Sequence, residues 1–239
     1  NIFAFSTTRH GGCGEETYAT FNCTHYCGDN PEHVKTNLEN LSALLPERPR
    51  VVVIPRQTHT TNVRVITNVP TPEELQDVDA VVTHMKGFCL CVSTADCVPV
   101  LLYDKEKQVV AAIHAGWRGT VGRIVEKTLE VMRLHYGTEG KDVVACIGPS
   151  ISLESFEVGD EVYAAFEEAG FDMNCIARRY EKWHLDLWEA NRMQLLACDV
   201  LPEHIEVAGV CTYRCHEDFF SARRLGIKSG RILSGIAMR

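Results

Sequence analysis

S-T-A-D-C-V-P-V-L-L-Y-D-K-E-K-Q-V-V-A-A-I-H-A-G-W-R-G-T, residues 93–120, holds two apolar runs around one short polar stretch. Val98–Tyr103 and Val109–His114 are rich in Val, Leu and Ile and too short for helices, so both predict buried strands. The intervening D-K-E-K-Q at 104–108 predicts a hairpin. If Lys105 and Glu106 form a two-residue loop, Asp104 pairs with Lys107 and paired positions sum to 211. Cys97 and His114 then face each other with Cβ atoms about 4.5–5.5 Å apart. Lys-Glu is not the Asn-Gly type of two-residue turn. Pro99, which cannot donate to a ladder, marks an edge or a bulge. Beyond His114, G-W-R-G leads into a helix over Val121–Tyr136, where Val121, Ile124, Val125, Thr128, Leu129 and Met132 recur at helical spacing and Gly137 caps the end.

Working outward, further strands are expected at Ile2–Thr7, Val51–Pro55, Asn62–Thr67, Ala80–His84, Phe88–Ser93, Val143–Ile147, Ile205–Cys211 and Ile232–Met238. Further helices are expected at His33–Leu45, Asp160–Ala169 and Leu187–Cys198. Strands outnumber helices, and several neighbours are joined by short turns. The expected class is α/β, with mixed β-sheets packed against outer helices rather than one doubly wound parallel sheet. With no repeat, low-complexity tract or linker, residues 1–239 are read as a single domain.

The composition is that of an ordinary globular chain: 239 residues, 45% hydrophobic, 23% charged, net charge −8. That balance argues against a nucleic-acid partner. No apolar stretch reaches the roughly 18 residues of a membrane span, so no membrane partner is expected. The first ten residues, N-I-F-A-F-S-T-T-R-H, lack the pattern of a signal peptide. Eleven Cys, many inside apolar runs, behave as small hydrophobes, and a reducing, cytoplasmic compartment is expected.

Three segments carry chemistry: P-R-Q-T-H-T-T-N at 55–62, S-T-A-D-C-V-P-V at 93–100 and A-A-I-H-A-G-W-R-G-T at 111–120. Each puts a metal-capable side chain at a strand end: His59, Cys97 and His114. One thiolate and two imidazoles make a three-ligand set for Zn²⁺ with a fourth position open, as in catalytic sites. Cu²⁺ could occupy the same ligands, since it generally binds more tightly than Zn²⁺. Two other readings stay open. Cys97 could be a core thiol with both His satisfied by ordinary hydrogen bonds, or a nucleophile with His114 or His59 as its base. Arg118 and Gly119, at a Gly-flanked strand-to-helix turn, suit a phosphate, and Arg9 in T-T-R-H-G-G-C-G could add an anion contact. Asp96 should point to the strand face opposite Cys97, where it could orient a ligand or carry a proton. C-T-Y-R-C-H at 211–216 has no matching second half and is read as structural; Trp183–Leu196 is read as core.

S-T-T-R-H-G-G, C-G-D-N, Q-T-H, V-D-A-V-V-T, T-A-D-C-V-P-V, H-A-G-W-R-G, I-G-P-S-I, H-L-D-L and F-F-S-A-R-R occur in this order over nearly the whole chain. In these motifs the chain resembles the YfiH-type family, also called the laccase-domain or multicopper polyphenol oxidase family. The resemblance implies a fold related to cysteine-hydrolase-like toxins and a metal held by His59, Cys97 and His114. It implies purine nucleoside phosphorylase activity on adenosine, inosine and methylthioadenosine, with phosphate as co-substrate, and adenosine deaminase activity. Other activities attached to the family are copper-dependent polyphenol oxidation and editing of cell-wall precursors. Of these, multicopper oxidation fits the sequence least, because ten His include no His-x-His pair.

Overall fold

The computed structural model describes residues 2–239. In chain order the elements are β1 (Ile2–Ser6), α1 (Pro31–Leu44), β2 (Val51–Val53), β3 (Val63–Val65), β4 (Ala80–Thr83), β5 (Phe88–Thr94), β6 (Val98–Asp104), β7 (Val109–Ala115), α2 (Trp117–Val121) and α3 (Ile124–Tyr136). They continue with β8 (Val143–Ile147), β9 (Glu157–Val158), α4 (Asp160–Glu168), α5 (Met173–Ile176), β10 (Ala177–Arg179), β11 (Trp183–Leu185), α6 (Leu187–Ala197), β12 (Ile205–Val207), α7 (Ala222–Leu225) and β13 (Ile232–Met238). A six-stranded mixed sheet runs β12-β8-β6-β7-β4-β3, and a four-stranded mixed sheet runs β1-β13-β5-β2.

The unbroken apolar runs follow from burial of the six-stranded sheet on both faces. Val81, Leu101, Val110 and Ala112 pack with Leu90, Val92 and Ile236 of the four-stranded sheet. The alternate residues Val82, Val100, Leu102, Ala111 and Ile113 pack with Ile124, Val125, Leu129 and Met132 of α3 and with Ala190 and Leu195 of α6. Leu102 and Ile113 are fully buried, a contribution of about 1.5–3 kcal/mol each. Phe21, Cys23, Cys89, Cys91 and Leu233 form a separate core on which Leu41 of α1 packs. All eleven cysteines are free, consistent with thiols serving as small apolar side chains.

The hairpin exists, but its register differs from the expected one. Val98 pairs with Ala115 and Asp104 with Val109, so paired positions sum to 213. The loop is four residues long because the Asp104 carboxylate accepts from the backbone N–H of Glu106 and of Lys107, both at 2.9 Å, and Gln108 adopts φ 55°. A two-residue slip keeps Cys97 and His114 on one face and makes them diagonal rather than opposite. Pro99 is not at a sheet edge: β6 is central, between β7 and β8. The β6–β8 ladder begins at Val100, so the missing N–H breaks no pairing there.

The helix expected at Val121–Tyr136 is α3, which starts at Ile124, and Val121 instead ends the separate helix α2. Arg123 at φ 62° breaks the chain between α2 and α3. Beside the break a Cβ on Gly122 would lie 2.5 Å from Thr61 Cγ2, so α2 turns early to pack against the 57–62 loop. The three-stranded sheet β10-β11-β9 has strands of only two or three residues, too short for periodicity to announce.

Candidate metal centre

The end of β7, the residue before β6, and the loop between β2 and β3 meet at one point. His59 Nε2 lies 3.8 Å from Cys97 Sγ, and the His59 and His114 rings are edge-on with centroids 4.9 Å apart. One ligand atom from each of His59, Cys97 and His114 falls within 4.8 Å of the others. Among the described residues this is the one such group of three. The burial is graded: His59 is exposed, Cys97 half-buried and His114 buried.

Each position has a local cause. Gln57 pairs its side-chain amide with the backbone of Ser93, Nε2 donating to the carbonyl and Oε1 accepting from the N–H, both at 2.8 Å. That fixes the loop to β5 two residues before His59, which adopts φ 63°. Gly116 permits the close approach: a Cβ there would lie 2.9 Å from His59 Cδ2 and 3.1 Å from Cys97 Sγ. Gly119 of α2 packs on the same atoms, and a Cβ there would make only ordinary contacts, 3.4 Å from the Thr60 carbonyl and 3.5 Å from that of His114.

The residue that organises the cluster was not singled out in the sequence. Asp79, fully buried, immediately precedes β4. Its Oδ1 accepts from His114 Nδ1 at 2.7 Å and from the His59 backbone N–H at 3.0 Å. Its Oδ2 accepts from Thr60 N at 2.8 Å, Thr60 Oγ1 at 2.7 Å and Thr58 N at 3.3 Å. The Asp79 carbonyl also accepts from His114 N at 2.7 Å. One carboxylate thus holds both imidazole-bearing segments, and it keeps the His114 proton at Nδ1, so Nε2 is the nitrogen that would give up its proton to a metal. The available signal was V-D-A-V-V-T, an acid opening an otherwise apolar, buried run.

The electrostatics agree with the geometry. Burial pushes the Cys97 thiol up, but attraction to His114 and hydrogen bonds to both imidazoles outweigh it and bring the thiol down to about 6. Burial lowers His114, but Cys97 and Asp79 together raise it to about 9. Burial raises Asp79, and His114 and Thr60 more than compensate, leaving it below its ordinary value. The metal-free cluster is therefore a thiolate beside an imidazolium. The same donors, one soft sulfur and two imidazole nitrogens, fit a borderline-soft ion such as Zn²⁺.

The other expected residues are distributed differently. Arg118 is exposed, its guanidinium lies over the Trp117 ring with Cζ 4.2 Å from the centroid, and that guanidinium makes no protein hydrogen bond among the described residues. Arg9 is held at two of its nitrogens, Nε donating to the Ala19 carbonyl at 2.8 Å and Nη1 to that of His216 at 2.9 Å. Its guanidinium also covers the Phe220 ring, so its main contacts are structural. The Asp96 side chain reaches Thr212, Ser221 and the Arg223 backbone, and no protein hydrogen bond joins it to Cys97, His59 or His114.

Comparison with known proteins places these features. The model of the family described as multi-copper polyphenol oxidoreductase laccase matches residues 3–239. A purine nucleoside phosphorylase of Bacteroides thetaiotaomicron is 57% identical, over 99% of this chain and 91% of that protein. Adenosine deaminase RL5, from an unknown prokaryotic organism, is 42% identical, over 98% of this chain and 93% of that protein. Among solved structures, Bacillus licheniformis hypothetical protein YfiH superposes with a TM-score of 0.93 at 28% identity, covering 100% of this chain and 93% of that one. YlmD from Geobacillus stearothermophilus gives 0.91 at 29% identity, covering 100% and 92%. The chain belongs to the multi-copper polyphenol oxidoreductase laccase family, in its YfiH-type branch.

Proposed function

We propose that this chain, acting as one domain, is a zinc-dependent purine nucleoside enzyme. It cleaves adenosine, inosine and methylthioadenosine with phosphate, and it deaminates adenosine. The observation that carries the reading is the convergence of His59, Cys97 and His114 donors, with His114 oriented by Asp79. The names of the phosphorylase and deaminase relatives supply the substrate class. His59, Cys97 and His114 would hold the ion, with Cu²⁺ able to take the same donors. When bound, the ion supplies Lewis-acid polarisation at an open coordination position.

The chain's own groups do the rest. Asp79 keeps the His114 proton at Nδ1, so Nε2 becomes the lone-pair donor once its proton is displaced. In phosphorolysis the bond from C1′ to the base nitrogen breaks, a phosphate oxygen bonds to C1′, and the base leaves with a proton at nitrogen. The Arg118 guanidinium, which makes no protein hydrogen bond among the described residues, and the first amides of α2 near Gly119 are suited to hold phosphate for that attack. Deamination replaces the amino group at C6 of adenine by oxygen from water, releasing it as ammonia, and needs no anion clamp. Incubation with adenosine, with and without phosphate, tests the reading when products are resolved by chromatography. Adenine and ribose 1-phosphate should form only with phosphate; inosine should form without phosphate, and with phosphate it should appear together with its cleavage product hypoxanthine. Absence of both products from zinc-loaded protein refutes the assignment.

One observation favours a second reading. Asp79, His114 and Cys97 also have the order of contacts of a hydrolase triad, with the thiol already depressed to about 6. A thiol-dependent amidase, such as one editing cell-wall precursors, would use Cys97 as nucleophile and His114 as acid–base. Protein purified without stoichiometric zinc, but with Cys97 readily alkylated and an amide substrate turned over, selects this reading.

A further inference from the structure

Asp96 lies directly before Cys97, is 9% exposed and has φ 83°, a left-handed conformation that side-chain-bearing residues rarely adopt. Its carboxylate is occupied by three donors from one distant segment. Thr212 Oγ1 donates to Oδ1 at 2.8 Å, while Ser221 Oγ at 3.0 Å and the Arg223 backbone N–H at 2.7 Å donate to Oδ2. Thr212 and Ser221 are themselves fully buried. The Asp96 carbonyl accepts from Ile151 N at 2.9 Å, and Thr212 N donates to the Ser150 carbonyl at 3.1 Å. Residues 208–231 contain one four-residue helix and no strand, so few repeating backbone bonds hold them. Arg9 bonding the His216 carbonyl, Arg223 bonding the Glu157 carbonyl and the buried Phe220 ring tie down other points of the segment, while the Asp96 carboxylate ties Thr212, Ser221 and Arg223 to the residue next to Cys97.

We propose that Asp96 is a positioning residue rather than a proton carrier: it hangs the 211–224 segment beside Cys97 as one wall of the nucleoside cleft. The wall's purpose rests on the purine nucleoside reading; the attachment itself does not. Both carboxylate oxygens are engaged by donors on the wall side, and no protein hydrogen bond links them to the three metal-capable side chains. An acid that shuttled protons would need at least one oxygen free toward the substrate. The strained backbone has a function here, since it sends the Asp96 side chain toward the wall while Cys97 faces His59.

The test is the double variant Thr212→Val/Ser221→Ala, which removes two donors and leaves Asp96 and the metal donors untouched. Each hydrogen bond to a charged group is worth about tenfold or more in an equilibrium. Tryptic cleavage at Arg214, Arg223 and Arg224 should therefore accelerate about tenfold or more, since cleavage tracks the population of the opened segment. KM for adenosine should rise by a similar factor, with kcat kept within about twofold, its pH profile unchanged and one zinc retained. Thr212→Ser, which keeps the donor, should restore both cleavage rate and KM relative to Thr212→Val. The single pair also serves if the double variant does not fold. Unchanged cleavage overturns the attachment, whether or not adenosine is a substrate. Faster cleavage with unchanged KM overturns the wall. If Asp96→Asn lowers kcat and removes one limb of its pH profile while the double variant keeps wild-type KM, Asp96 is a proton carrier.

Discussion

Replacing Asp79 by Asn tests the organisation of the metal centre most directly. The change is nearly isosteric, so effects come from charge and donor–acceptor pattern rather than volume. Asp79 accepts five hydrogen bonds, two on Oδ1 and three on Oδ2. An Asn offers one accepting oxygen and one NH₂ group. With oxygen on the His114 side, the NH₂ group faces the Thr58 and Thr60 amides; with the opposite flip, it faces His114 Nδ1 and the His59 amide. Either way at least two part-buried or buried N–H groups meet a donor. At about 1–3 kcal/mol for each orphaned group, the loss is about 2–6 kcal/mol, shared between folding and ligand orientation. Removing a carboxylate that orients a metal-bound His typically weakens metal binding 10–100-fold. Zinc affinity, measured by competition with a chromophoric chelator at pH 7.5, should fall by at least about tenfold, and the melting temperature of the metal-free protein should also drop. Zinc affinity within about threefold of wild type, in a folded Asp79→Asn protein, would refute the assignment of Asp79 as the group that sets both imidazoles.

Four further outcomes are expected. Cys97→Ser exchanges a thiolate for a poor neutral ligand, so zinc content by elemental analysis and both nucleoside activities should fall together; full zinc occupancy in this variant contradicts the ligand role. Gly116→Ala places a Cβ 2.9 Å from His59 Cδ2 and 3.1 Å from Cys97 Sγ. Its φ of −67° suits Ala, so the melting temperature should hold while zinc affinity drops about tenfold or more, and the reverse result counts against the close-approach argument. Arg118→Ala should impair phosphorolysis far more than deamination, and equal losses at saturating phosphate argue against an anion clamp. In zinc-free protein the Cys97 thiolate forms as pH rises through about 6, and the His114 imidazolium is lost as pH rises through about 9. Alkylation of Cys97, followed by mass spectrometry, should therefore have its midpoint near 6, whereas a midpoint above 8 means the ion pair is absent.

What the sequence reveals depends on how far each determinant lies along the chain. Strands Val143–Ile147 and Ile232–Met238 are read with their exact bounds, because each is a compact apolar run whose ends are marked locally. Cys97 and His114 are legible at strand ends, as expected, whereas His59 stands mid-loop between β2 and β3 rather than at the strand end the sequence suggested. The register between Cys97 and His114 is not legible, because it is set by the Asp104 carboxylate and by φ at Gln108, neither of which has a periodicity. The short strands β9, β10 and β11 have too few residues to alternate. Asp79 and Asp96 mark the deeper limit. Each is one acid in an apolar context, and each is defined by partners 19–35 or 116–127 residues away, respectively. Sequence alone can flag such an acid as costly to bury; it cannot say whether the compensating donors belong to the reacting centre or to a wall around it. Here the two acids divide along that line. Asp79 bonds an imidazole and the loop that carries another, so its loss disturbs the donor set. Asp96 bonds a segment with no metal-capable partner in contact, so its loss frees what surrounds the donors. Zinc affinity should therefore respond to Asp79, and KM to the anchors of Asp96.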